Sequence, residues 1–167
     1  MNTEELINYF EKKYNKDINK FNNIEWIEIS QFKYLSENFI EKYENKVYWS
    51  FISINQKLSE NFIEKYENKV NWYCISIHQK LTEKIMNKYE KKIYWEHLAK
   101  LMDLSGELIN KHKSNIKYLS KQNKINYLKY KAKNNMISNK KYLKELLKIN
   151  LSDKKFFLLK TTRVEKL

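Results

Sequence analysis

Tryptophan recurs in this chain every 23 residues, at Trp26, Trp49, Trp72 and Trp95, and Tyr118 stands at the next interval. A fixed period of this size signals a repeat architecture, in which each unit buries its apolar face only by stacking on a neighbour. From one tryptophan to the next the pattern reads W-x-x-I-S-x-x-Q-x-L-S-E-x-F-I-E-K-Y-E-N-K-V-x, and Trp49 to Asn71 fits it throughout. Leu35 to Val47 is identical, residue for residue, to Leu58 to Val70, which marks a recent duplication. The copy from Trp26 has Lys33 at the glutamine position, and the copy from Trp72 has Thr82 at the capping serine. The copy from Trp95 keeps Leu98, Leu104, Ser105, Ile109 and Ile116 but carries Ala99 and Met102 elsewhere. Four full copies occupy 26–117, after an N-terminal helical cap with a partial repeat (1–25) and before a basic helical segment (118–167).

Each unit reads as two short helices. Ser36, Ser59, Thr82 and Ser105 are placed to accept a hydrogen bond from an amide of the following turn and so to cap the second helix. Glu37, Glu60 and Glu83 then fall in its first turn, where the helix dipole favours a negative charge. Phe62, Ile63 and Tyr66 make one apolar stripe. Asn45 and Asn68 are expected to cap the next helix, which carries Val70, Trp72 and Ile75. Ser30, Ser53, Ser76 and Ala99 share a position where only small side chains occur, as close helix approach requires. Gln56 and Gln79 either hydrogen-bond a turn or face solvent. One tryptophan per unit, beside Val and Ile of the same helix, reads as core rather than as a base-stacking ladder. Helices this short are marginal alone, so stability must come from neighbours. The expected fold is all-α: short helical hairpins stacked as an α-solenoid with helical caps.

The residues that carry the pattern are Trp49, Ile52, Ser53, Gln56, Leu58, Ser59, Glu60, Phe62 and Ile63, then Trp72, Ile75, Ser76, Gln79 and Leu81. This repeat resembles short repeats in uncharacterised proteins of giant DNA viruses and some tailed phages. The resemblance covers 26–117, implies a viral or phage origin, and brings no activity with it.

Composition narrows the function classes. The chain is 42% hydrophobic and 15% aromatic, enough for a packed core. No purely apolar run exceeds four residues (Phe156–Leu159 is one), and the acidic start, Met1 to Glu5, precedes no signal-peptide region, so a cell-interior or virion location is expected. Gly106 is the only glycine, Arg163 the only arginine, proline is absent and asparagine occurs 21 times, the composition of an AT-rich gene. With one glycine there is no phosphate-cradling loop, dinucleotide fingerprint or nucleophile elbow. Cys74 is the sole cysteine and reads as a small core residue. Cys74 and His78 are four apart, but two ligands do not make a zinc site. The expectation is a non-enzymatic protein without cofactor or metal.

Charge is lopsided. Residues 1–84 carry net −1 and residues 85–167 net +14. No acid occurs between Glu107 and Glu145, where eleven lysines stand: Lys111, Lys113, Lys117, Lys121, Lys124, Lys129, Lys131, Lys133, Lys140, Lys141 and Lys144. Codon bias does not account for this, because lysine and acid are balanced earlier in the same gene. Tyr118, Tyr127, Tyr130 and Tyr142 are interleaved with these lysines. Lysines neutralise phosphates with counterion release and tyrosine faces stack on unpaired bases, which suits RNA or single-stranded DNA. An acidic host or viral protein, or solvent alone, are the other readings of such a face. Near-absence of arginine argues against base-specific reading. The alternative function is a protein–protein adaptor or inhibitor of a host factor acting through the repeat surface. Further along, Tyr142, Leu143, Leu146 and Leu147 form a helical stripe, Lys131 to Ser138 is the expected break, and Ser152-Asp153 suggests another helix start.

Overall fold

The second helix of every hairpin begins where its cap stands. Phe39 N donates to Ser36 Oγ (3.2 Å), Phe62 N to Ser59 Oγ (3.1 Å), Ile85 N to Thr82 Oγ1 (3.5 Å) and Leu108 N to Ser105 Oγ (3.1 Å). The computed structural model describes residues 2–150, and among these the regular structure is helical with no strand. A cap helix, α1 (Thr3–Tyr14), leads into paired short helices: α2 (Asn23–Gln31) with α3 (Glu37–Lys42), and α4 (Trp49–Asn55) with α5 (Glu60–Lys65). The third and fourth pairs are α6 (Trp72–His78) with α7 (Glu83–Lys88), and α8 (Trp95–Leu101) with α9 (Gly106–His112). A longer α10 (Lys121–Lys133) and an α11 over 139–150 follow. The break between them is the one expected: Asn134 caps α10, and Asn135 adopts φ 55°, a left-handed conformation asparagine tolerates. Ser152 and Asp153 lie outside the described residues.

The chain forms two compact units, one ending at Tyr94 and the other beginning at Trp95. Three full copies belong to the first unit. The fourth copy and the basic segment belong to the second. Within the first unit α2 packs on α4 and α4 on α6, the stacking expected of hairpin repeats.

The small-residue position does more than admit a close approach. Ser30 Oγ donates to Trp26 O (2.7 Å) and accepts from Tyr48 N (2.8 Å), the residue that opens the next copy's helix. Ser53 repeats this with Trp49 O and Asn71 N, and Ser76 with Trp72 O and Tyr94 N. A hydroxyl that back-bonds within its own helix thus keeps a lone pair for the following unit. This corrects the expectation for Asn45 and Asn68. The chain first makes a turn closed by Val47 N to Tyr43 O and Val70 N to Tyr66 O, so the next helix starts later, at Trp49 and Trp72. Asn71 caps α6 through Cys74 N (3.1 Å), and Tyr48 offers α4 no side-chain cap.

Gln56 and Gln79 are buried staples rather than solvated residues. Gln56 accepts from Leu35 N (3.0 Å) and donates to Phe32 O (2.6 Å). Gln79 accepts from Leu58 N (3.2 Å) and donates to Gln56 O (2.7 Å) and Ser53 O (3.1 Å). Each side chain reaches back into the copy before it. Lys33 stands in the first full copy, which follows no such copy, and there it is exposed.

The tryptophans belong to the frame. Trp26 and Trp95 are buried, while Trp49 and Trp72 are half-buried. The half-buried pair hold their indole N–H on Glu44 O (2.9 Å) and Glu67 O (2.8 Å). In each of these copies the indole meets the tyrosine that ends the second helix. Centroids are 5.1 Å apart for Trp26–Tyr43, 4.8 Å for Trp49–Tyr66 and 4.5 Å for Trp72–Tyr89. In the fourth copy histidine takes that place, and His112 lies flat on Trp95 at 3.7 Å.

Candidate nucleic-acid interface

Two departures from the repeat build the second unit. Glu37 and Glu60 reach the cap of the following copy: Ser59 N donates to Glu37 Oε1 (2.6 Å) and Thr82 N to Glu60 Oε1 (2.8 Å). At the same position the fourth copy has Gly106. A Cβ there would lie 2.3 Å from Tyr130 Cβ and 2.5 Å from Asn126 O, so α10 crosses α9 where only glycine fits. The glutamine staple also changes hands. Two periods beyond the groups that Gln79 grips, the amide comes from Asn123 of α10, which accepts from Leu104 N (2.7 Å) while donating to Ala99 O (2.8 Å) and Met102 O (2.7 Å). Ile125 occupies the 23-residue register, so nothing in the period marks Asn123 for this task.

Held this way, α9, the 3-10 turn Lys113–Asn115, the loop that follows and α10 surround a pocket of ≈ 230 Å³. Ile109, Ile116 and Leu119 give its apolar lining, Tyr127 an aromatic one, and Lys113, Lys117 and Lys124 its charge. A wider groove of ≈ 390 Å³, sharing Leu119, Lys124 and Tyr127, runs on to Leu128 and to Glu145, Lys148 and Ile149 of α11. The ring of Tyr127 is held by its hydroxyl on Asn110 Oδ1 (3.3 Å) and by Lys131 Nζ, 4.6 Å from its centroid.

Of the lysines named from sequence, Lys113, Lys117 and Lys124 come together at the pocket. Lys131 is half-buried over Tyr127. Lys111 and Lys121 are exposed at the end of α9 and the start of α10. Lys129 and Lys133 lie exposed on later turns of α10, and Lys140, Lys141 and Lys144 on α11, outside the pocket lining. The tyrosines divide. Tyr118 is 55% exposed, with Lys117 Nζ at 5.2 Å and Lys100 Nζ at 5.6 Å from its centroid. Tyr127 and Tyr130 are half-buried, and the Cβ of Tyr130 lies against Gly106 where α10 crosses α9. Lys100 and Lys148 flank the acid-free segment, each paired with an acid of its own helix, Glu96 (3.2 Å) and Glu145 (3.0 Å).

The one carboxylate among the described residues of the groove reports the local field. Glu145 is held below the usual carboxylate range, first by its hydrogen bond from Lys148 (3.0 Å) and then by the charges of Lys148, Lys141 and Lys144. Lys121 and Lys124 stand in the first turns of α10, which has no acid there, although cations at that end oppose the helix dipole.

Cys74 is buried, and its burial pushes the thiol pKa up, the opposite of what a nucleophile needs. His78 is exposed. Among the described residues no three His, Cys, Asp or Glu side chains are grouped to hold a metal, and no helix is long and apolar enough to cross a membrane. Comparison with family models, with curated proteins and with solved structures gives no match.

Proposed function

We propose that the protein is a non-enzymatic helical-repeat binding protein whose second unit contacts RNA or single-stranded DNA while the repeats of the first unit act as a rigid frame. The observation that carries this reading is the difference in what lysine does along the chain. In the first unit, Lys65, Lys69, Lys88 and Lys92 are tied to Glu41, Glu44, Glu64 and Glu67 of the copy before. From 108 to 144 there is no acid at all, and ten of the eleven lysines are exposed. Such a face is costly to keep together unless an anion meets it, and a chain of phosphates does so with release of counterions. Binding is then indifferent to sequence, since the chain has a single arginine for base edges. The resemblance of the repeat to giant-virus and phage proteins supports a role inside an infected cell or in a virion.

The test is fluorescence anisotropy of a labelled single-stranded oligonucleotide titrated at rising salt. Affinity is expected to fall steeply and linearly on logarithmic axes, by about 0.7 for each phosphate contacted. No binding at moderate salt overturns the reading.

A second reading, a protein–protein adaptor or inhibitor of a host factor, draws on the first unit. There Tyr73 and Tyr94 pair at 5.1 Å while 57% and 45% exposed, and Tyr34 is 67% exposed. Exposed tyrosines of this kind are favoured at protein interfaces. Capture of one acidic protein by nuclease-treated material supports it over the first.

A further inference from the structure

We infer that the pocket between α9 and α10 receives one unpaired base of the bound strand, with the flanking phosphates on Lys113, Lys117 and Lys124. This rests on the nucleic-acid reading above and adds to it a reason for choosing single strands. Three observations converge on a base. The pocket is apolar where Ile116 and Leu119 line it, aromatic at Tyr127, and cationic through three lysines, which is the chemistry of a nucleotide unit: a flat ring beside a phosphate. Its size, ≈ 230 Å³, falls below the roughly 300–1,000 Å³ of sites for drug-sized ligands, so it suits one ring system rather than a whole cofactor or an acyl chain. The aromatic side chain is fixed in advance, by Asn110 on its hydroxyl and Lys131 on its ring, so little rotamer freedom is lost when a base enters. In a duplex the bases are stacked inside and cannot reach such a pocket; in a single strand they can.

Anisotropy compares three probes of equal length at one salt concentration: a thymidine strand, a strand of abasic sites with the same phosphates, and a duplex. The thymidine strand is expected to bind roughly 5- to 150-fold tighter than the abasic one, the span that base–aromatic stacking commands. Tyr127→Leu should bring the two together without changing the salt slope, and Tyr127→Phe, which keeps the ring, should restore the difference. Equal binding of thymidine and abasic strands by the unmodified protein overturns the pocket while leaving the basic face as a phosphate binder. Binding of none of the probes overturns both readings. Should Tyr127→Leu fail to fold, the abasic comparison on the unmodified chain still decides.

Discussion

Lysine does two different jobs in the two halves of this molecule. Between the second and third copies Lys88 meets Glu64 at 2.7 Å and Lys92 meets Glu67 at 3.7 Å, and the same rungs join the first copy to the second. These are surface pairs, each worth about 0–1 kcal/mol, so their effect is register rather than strength: they favour one way of stacking. In the second unit the acids that would complete such rungs are gone from 108 to 144, while the lysines remain. The comparison teaches that an abundant residue type is informative only beside its partners. Overall charge, +13, describes neither half.

The largest effect expected from this contrast is on binding. Replacing Lys113, Lys117 and Lys124 with glutamine should flatten the salt dependence for single strands by about 2, at roughly 0.7 per lysine. Replacing Lys65, Lys69, Lys88 and Lys92 should leave it unchanged. An equal loss from the second set, read by anisotropy at several salt concentrations, breaks the comparison.

Next in size is the exchange of glutamate for glycine at one repeat position. Gly106→Ala places a methyl against the backbone oxygen of Asn126, which cannot swing aside. Overpacking of about 3 kcal/mol, less about 1 regained in helix propensity, leaves a net loss of about 2 kcal/mol in urea denaturation. Glu60→Ala, at the same place in the second copy, loses only its hydrogen bond to Thr82 N, about 1 kcal/mol. A Gly106→Ala protein as stable as the original would mean that α10 does not sit on α9 as described.

The smallest of the three effects concerns the buried amides. Gln79→Leu removes the partner of Leu58 N and a donor from two carbonyls, and Asn123→Leu does the same to Leu104 N and Met102 O, while Ala99 O keeps Ser120 N (3.0 Å). Both should cost about 1–2 kcal/mol, because partial relaxation admits water to some of these groups. Matched losses sharpen the view that Asn123 does in the second unit what Gln79 does in the first. A neutral Asn123→Leu separates them.

What could be read from sequence was what acts locally or at the repeat period. The serine and threonine caps follow from residues three apart, and the hairpin fold from the tryptophan spacing. The apolar stripe of Phe62, Ile63 and Tyr66 is buried as read, with the two rings 4.7 Å apart. The stripe on α11 is only half so: Tyr142 and Leu146 are half-buried, while Leu143 and Leu147 remain more than half exposed. What could not be read depends on partners far along the chain. Ser53 looked small because its size is visible in sequence; its bond to Asn71 N, 18 residues on, is not. Glu60 was legible as a first-turn acid, but its reach to Thr82 N, and that of Glu64 to Lys88, were not. Asn45 and Asn68 looked like caps because the turn that delays the next helix leaves no mark in residue type. In the basic segment charge was legible and aromatic exposure was not: Tyr118 stands exposed while Tyr130 is half-buried, its Cβ against Gly106.

The staples of the first unit also have a consequence for the gene. Serine reaches forward and glutamine back with the same side chains at both junctions of the unit, so the two junctions are chemically alike. The stretch Leu35–Val47 and its duplicate at Leu58–Val70 are alike as well, which gives recombination two matching addresses in one reading frame. Slippage between them inserts or removes a whole number of codons and, with them, one whole hairpin with its socket, amide and lysine rungs. Descendants of this gene can therefore differ in length by complete hairpins, with no new junction to evolve each time.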